Sequence, residues 1–277
     1  MAYPPAGSPT FVLVASSKNP ASKTIASSLV KGHGFESTGI RFQSTNLYQS
    51  GSVILATMDS EIIYPPDLDS FFRTQAYIFL STHRSESEIP SLTVHTTGNF
   101  TDKEVLGARP REVGAIDPDL QKNYLRALNE RRAKLQGYEI TIEATHHGPT
   151  SLKRPVLFVE LGSSEKQFED SRAADVIADA LMASLASGRR WEKVALAFGG
   201  THYSEKFNGV LLDTYYALSA VVAKRYLEWI DSEMFGQLIQ KTSRFPKYVM
   251  VDWKGAGPHR EKIISLSKQF ALEVVRV

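Results

Sequence analysis

Short apolar runs alternate with segments of helical period along most of the chain. FVLVA (11–15) and AYIFL (76–80) are apolar at every position, and SVILA (52–56) at every position after Ser52. Such runs, bounded by turn residues, predict strands buried on both faces. PVLFVEL (155–161) and KVALAF (193–198) read as central strands for the same reason, and Lys247 to Val251 as another. YEITIEA (138–144) alternates and predicts a half-buried strand; Leu92 to His95 adds a short one. Asn19-Pro20 supplies an N-cap and a first-turn proline for a helix reaching about Lys31. Asp117-Pro118 does the same for a helix to about Gln136, whose Leu120, Tyr124, Leu125 and Leu128 form one stripe. Further helices are predicted over Ser163–Ser187, which is rich in alanine, over Asp231–Thr242 and over Arg260–Phe270.

This alternation predicts an α/β fold with a mainly parallel sheet flanked by helices. The division expected is a short flexible leader over 1–9 and a single α/β domain over 10–277. The leader has no basic head followed by an apolar core, so it does not read as a signal peptide. No run approaches the roughly 18 apolar residues of a membrane span. In such folds chemistry sits beyond the carboxyl ends of the strands.

Five of the seven histidines fall at those ends. AYIFL leads to Ser81-Thr82-His83-Arg84-Ser85-Glu86, LTV to His95-Thr96-Thr97-Gly98-Asn99, and YEITIEA to Thr145-His146-His147-Gly148-Pro149-Thr150. KVALAF leads to Gly199-Gly200-Thr201-His202-Tyr203. Neighbouring strands lie about 4.8 Å apart, so these distant positions are expected to meet in one cleft. Imidazoles and carboxylates facing one another form an N/O ligand set suited to Zn²⁺. His83 and Glu86 have the H-x-x-E spacing of two ligands from one turn, which a distant histidine would complete. Glu160, at another strand end, is a candidate general base. A single histidine in this pattern is as readily a hydrogen-bonded core residue; the set of five is the signal. His33 and His259 sit at helix ends and are expected to be solvent-facing and capping residues.

Composition sharpens this. The 277 residues contain no cysteine, which excludes disulfides, thiol nucleophiles and thiolate metal sites. A net charge of +2 neither demands nor forbids a nucleic-acid partner, so local patches decide. Arg109/Arg111 and Lys153/Arg154 flank the histidine loops, whereas Arg131/Arg132/Lys134 and Arg189/Arg190 read as solvated faces. Gly199-Gly200-Thr201 and Gly162-Ser163-Ser164 read as tight turns ahead of anion cradles.

At these same loops the sequence resembles the archaeal and plant type of D-aminoacyl-tRNA deacylase. The stretches are STHRSES (81–87), LTVHTTGNF (92–100), EATHHGPTS (143–151), VLFVELGSSE (156–165), GGTHYS (199–204) and VDWKG (251–255). Residues 205–230 carry no matching motif. The resemblance implies a phosphorylase/hydrolase-like α/β fold and a zinc-dependent, cytoplasmic ester hydrolase that frees tRNA from D-amino acids. The expected assignment gives Zn²⁺ to His83, Glu86 and one or two of His146, His147 and His202, with Glu160 as base and His146 and His147 as catalytic candidates. His95, Asn99 and Thr150 would orient substrate, and Tyr203 and Lys254 would hold the tRNA 3′ end. A monomer acting on the acceptor end of tRNA, largely through its backbone, is the expected assembly, with no membrane partner. Selection for the D form would come from steric rejection of the L side chain. A water activated by histidine or the RNA 2′-OH, without catalytic zinc, fits the same family. A zinc amidohydrolase acting on a small acyl-amino acid also fits, as does a non-catalytic nucleotide- or RNA-binding module. tRNA binding that weakens steeply with salt would separate the first reading from the amidohydrolase.

Overall fold

The computed structural model of the chain describes Tyr3 and residues 11–277. Apart from Tyr3, the expected leader over 1–9 lies outside the described residues. The elements begin with β1 (Phe11–Ser16), α1 (Pro20–Gly32), β2 (Glu36–Phe42), β3 (Thr45–Ser50), β4 (Val53–Met58), α2 (Leu68–Phe71), β5 (Ala76–Arg84) and β6 (Ser91–His95). β7 (Gly98–Asn99), β8 (Glu112–Val113), α3 (Pro118–Glu130), β9 (Glu139–Ile142), β10 (Val156–Ser163), α4 (Glu165–Phe168) and α5 (Ser171–Ser187) follow. The chain closes with β11 (Lys193–Phe198), α6 (Glu205–Asp213), β12 (Tyr216–Val222), α7 (Ser232–Gln240), β13 (Tyr248–Val251), α8 (Arg260–Gln269) and β14 (Glu273–Arg276).

The expected sheet is divided in two. One has the order β2-β3-β4-β1-β5-β10-β6-β9 and the other β12-β11-β13-β14. The second is parallel throughout. The first is parallel across β4, β1, β5 and β10, but β6 runs antiparallel to β10 and the β2–β3 hairpin folds back on one edge. That hairpin escapes the sequence pattern because its residues are mostly exposed or half-buried, so no apolar face marks it.

The caps predicted from Asn19-Pro20 and Asp117-Pro118 are present. The Asn19 side chain accepts from the Ser22 amide, and Asp117 accepts from the amides of Asp119 and Leu120. The long helix expected over 163–187 is instead broken. Ser163 ends β10, α4 makes one turn, and the Asp170 carboxylate caps α5 by accepting from the amides of Arg172 and Ala173.

Helix α3 joins the two sheets. Its Tyr124, Leu125 and Leu128 are fully buried among side chains from both, including Leu80, Val159, Ala197 and Leu218. Burying each such leucine contributes roughly 1.5–3 kcal/mol. The other face of the first sheet is covered by loops and the hairpin, with Phe79 stacked on Phe158 at 5.0 Å between ring centres. α7 and α8 cover the outer face of the second sheet through Phe235, Leu238 and Ile263.

The sheets meet at the end of β9. The Ala144 amide donates to the His202 carbonyl, the Thr145 amide to the Val221 carbonyl, and Glu143 bridges Tyr203. Loops from both sheets therefore share one rim. Among the described residues, no helix is long and apolar enough to cross a membrane.

Candidate active site

Strand alternation delivers the first half of the site. Ser81 and His83 lie on one face of β5, Glu160 and Gly162 on one face of β10, and Thr93 and His95 on one face of β6. In register, Gly162 faces His83 and Glu160 faces Ser81 and Thr93. A Cβ at Gly162 would come within 1.9 Å of the His83 carbonyl oxygen, so this close approach requires glycine. Glu160 ends up between two imidazoles, 3.5 Å from His83 Nδ1 and 3.7 Å from His95 Nε2.

The seam between the sheets delivers the other half. Glu143 places Oε1 3.1 Å from His83 Nδ1 and Oε2 2.8 Å from His202 Nε2. His146 Nε2 is 3.8 Å from the same Oε2. The rings of His95 and His146 are 4.1 Å apart, those of His146 and His147 4.4 Å, and those of His146 and His202 4.7 Å. All five strand-end histidines therefore share one pocket.

Three of them are oriented alike. Nδ1 of His95 lies 3.1 Å from the Thr96 carbonyl oxygen, Nδ1 of His146 2.8 Å from that of Ala144, and Nδ1 of His147 2.7 Å from that of Gly148. A carbonyl can only accept, so each Nδ1 carries the hydrogen and each Nε2 is left as a potential ligand. His95, His146 and His147 offer ligand atoms within 4.8 Å of one another, as do Glu143, His146 and His202, and His83, Glu143 and Glu160. His95 Nε2 and His202 Nδ1 are buried with no hydrogen-bond partner among the described residues. Unspent lone pairs on a three-nitrogen set, each ring braced from behind by a main-chain carbonyl, suit a divalent cation of the zinc type.

The electrostatics separate the histidines. Burial opposes charge on His83, but hydrogen bonds from Glu143 and Glu160 carry its pKa up to about 10. Burial likewise opposes charge on His95, yet Glu160 raises it. Burial drives His146 well below the usual imidazole range, reinforced by His95 and His147. Burial and then His95 lower His147 to about 4. Both carboxylates resist their burial: His202 and His83 beside Glu143 hold it well below its usual range, and the nearby His83 and His95 lower Glu160. Two ionised carboxylates thus face a cationic His83, while His146 and His147 are neutral.

The structure places the remaining predicted residues unevenly. The Tyr203 hydroxyl is 3.0 Å from His83 Nε2 at the pocket mouth, where Tyr203 is 38% exposed. Glu86 is not brought to the cluster. β5 continues through Arg84, His83 points inward, and Glu86 falls in the exposed turn beyond, so the H-x-x-E pair is split. Asn99 is consumed locally: its amide donates to the Lys103 carbonyl, and its oxygen accepts from the Thr101 amide and hydroxyl. The Thr150 hydroxyl donates to Glu112 and accepts from the Arg109 amide, which makes it a loop tether. Lys254 is exposed on the turn after β13. His33 pairs with Asp179 at 3.3 Å, away from the pocket. Glu143 is the site residue that sequence reasoning passed over. Its signal was an acid three residues ahead of His146, hidden at the end of an alternating strand.

A cluster of imidazoles and carboxylates at strand ends of an α/β protein is a candidate hydrolytic centre. Residues 70–275 match the family model described as D-aminoacyl-tRNA deacylase, and the chain belongs to that family. The D-aminoacyl-tRNA deacylase of Cenarchaeum symbiosum is 36% identical over 264 residues, covering 95% of this chain and 98% of that protein. That of Pyrococcus furiosus is 31% identical over 272 residues, covering 96% and 99%. A crystal structure described as a conserved protein of unknown function superposes with a TM-score of 0.89 at 27% identity, over 97% of this chain and 95% of that one. The likeness expected from the six loop motifs thus extends through residues 205–230, where no motif was matched.

Proposed function

We propose that the five-histidine pocket carries the family reaction, hydrolysis of the ester joining a D-amino acid to the terminal ribose of tRNA, with a divalent metal held by His95, His146 and His147. The observation that carries this reading is the common bracing of those three rings, which leaves three convergent Nε2 atoms. Zn²⁺ there would supply Lewis acidity and bring the pKa of a water to roughly 7. The ligand set differs from that expected from sequence: His95 takes the place of His83 and Glu86 beside the expected candidates His146 and His147, and His202 turns to Glu143.

The chain's own groups divide the remaining work. Glu143 is assigned as base instead of Glu160, because its Oε2 lies 3.8 Å from Nε2 of the proposed ligand His146, while Glu160 sits between His83 and His95. Glu143 Oε2 can take the proton from water, and His202 Nε2, 2.8 Å away, holds that carboxylate in place. His83 stays cationic and donates to the Tyr203 oxygen, so the Tyr203 proton is available to the substrate. Burial, with Glu143 close by, raises the Tyr203 pKa to about 12, which keeps that hydroxyl protonated. It can stabilise the developing oxyanion or protonate the leaving ribose oxygen. Action on charged tRNA supports a cytoplasmic setting.

The test is hydrolysis of D-Tyr-tRNA and L-Tyr-tRNA with and without chelator, alongside elemental analysis. Turnover of the D ester, lost on chelation and restored by Zn²⁺, is expected with stoichiometric metal. Full activity after exhaustive chelation would remove the metal from the reaction.

A further inference from the structure

We infer that the cleft on the far side of the His147–Gly148–Pro149 turn is a nucleotide subsite, which takes a base of the single-stranded tRNA end on Tyr64 and its phosphate between Arg109 and Lys153. The cleft encloses about 590 Å³ and is walled by three loops, 63–70, 107–109 and 149–153. This volume is in the range of small-molecule sites.

Its chemistry is that of a nucleotide. Tyr64 is 53% exposed, followed by Pro65 and Pro66, so an aromatic face and flat apolar surface stand open to solvent. An aromatic ring stacks on any base, which suits an RNA end common to many tRNAs. Arg109 has a side chain 69% exposed and holds Glu112 at 3.8 Å, a length that leaves most of its donors free. Lys153 is exposed beside it. Two carboxylates also line the cleft, but both are engaged with the chain. Asp69 accepts from the Tyr77 hydroxyl and the Lys153 amide, and Asp67 accepts from the Ser70 amide.

The cleft is rigidly coupled to the histidine pocket. The Arg109 amide donates to the Thr150 hydroxyl, three residues beyond His147. The Gly148 amide donates to the Leu106 carbonyl, and a Cβ at Gly148 would meet the Gly107 carbonyl oxygen at 2.1 Å. One backbone pair therefore separates the two compartments, and Leu106, 59% exposed, stands at the crossing. An RNA end held on Tyr64 needs to pass only this ridge to bring its terminal ester to His147.

The inference rests on tRNA being the substrate, and the test separates the two. A labelled, uncharged single-stranded RNA ending in CCA is titrated by fluorescence anisotropy at several salt concentrations. Tyr64→Ala is expected to weaken binding roughly tenfold, while Tyr64→Phe retains it, since the ring supplies the contact. Arg109→Ala with Lys153→Ala is expected to weaken binding and flatten the dependence of log affinity on log salt by about 0.7, the value for the one phosphate they share. Tyr215→Ala removes a more exposed ring elsewhere, 67% exposed, and should change nothing. The KM for D-aminoacyl-tRNA should rise in Tyr64→Ala with kcat preserved. Tyr64→Ala and the double variant binding the RNA as wild type does, or no binding by wild type, overturns the subsite even if hydrolysis stands. Loss of hydrolysis in wild type overturns the functional reading whatever the cleft binds.

Discussion

Two regions of the molecule bury ionisable groups, and they are built on opposite plans. In one, Lys122 of α3 is fully enclosed, donates to the Thr214 and Tyr216 carbonyls at 2.5 and 2.7 Å, and lies 4.1 Å from the centre of the Trp191 ring. Its donors are spent on the chain, and the result pins α3 to the segment between α6 and β12. In the histidine pocket, by contrast, lone pairs on His95 and His202 remain uncommitted, and carboxylates are shared between imidazoles instead of closed off. Burial of charge alone does not mark a functional site. Unspent valence beside an opening does, because a satisfied buried group has nothing left to offer a ligand.

The largest expected effects lie in the pocket. Glu143→Gln keeps the shape and loses the base, and should lower kcat by about 10²–10⁴, with some loss of stability because His83 and His202 lose a buried negative partner. Glu160→Gln should cost less in kcat, and it costs stability by removing the buried negative charge that lies between His83 and His95. Steady-state kinetics on D-aminoacyl-tRNA with parallel melting curves reads both. A larger kcat loss in Glu160→Gln than in Glu143→Gln would return the role of base to Glu160.

Much of this contrast was legible in the sequence, and the failures have physical causes. Strand-end position found His83, His95, His146, His147 and His202, but the rule for parallel strands does not explain all of them. β6 runs antiparallel to β10 and β9 follows β6, so His95, His146 and His147 reach the cluster through the register of β6 and the seam after β9. Which nitrogen faces which neighbour was not legible: it depends on carbonyls such as those of Ala144 and Gly148, set by a loop path that composition does not encode. Glu86 misled because H-x-x-E presumes that a turn begins at the histidine, whereas β5 runs one residue further. Lys122 lies outside the apolar stripe of Leu120, Tyr124, Leu125 and Leu128. It is buried because the second sheet lies against that side of α3, a tertiary fact that helical period in one segment cannot show.

Removing Lys122 tests the other half of the comparison. Lys122→Ala opens a cavity and leaves two buried carbonyls unpaired, at a cost of about 2–4 kcal/mol. Chemical denaturation should show the full loss, while kcat per folded molecule stays at the wild-type value. A drop in kcat equal to that of the pocket variants would mean the two regions are not separate in function.

The smallest effect is in the pH dependence of stability, where the two regions pull in opposite directions. Burial, with Arg126 and Arg189 nearby, pushes the Lys122 pKa down to about 7 from its ordinary 10.5. Between those values the unfolded chain binds the proton and the folded chain does not, so Lys122 makes stability rise with pH. His83 is raised to about 10 from 6.5. Its stabilising charge is complete below the lower value and is lost as pH climbs through the higher one, so it makes stability fall over the same window. Each slope is at most about 1.4 kcal/mol per pH unit, and in wild type the two largely cancel between pH 7 and 10. Lys122→Met should unmask the falling slope and His83→Gln the rising one, read as unfolding free energy from urea titrations at each pH. Slopes of the same sign in the two variants would show that the satisfied lysine and the shared histidine are not electrostatic opposites.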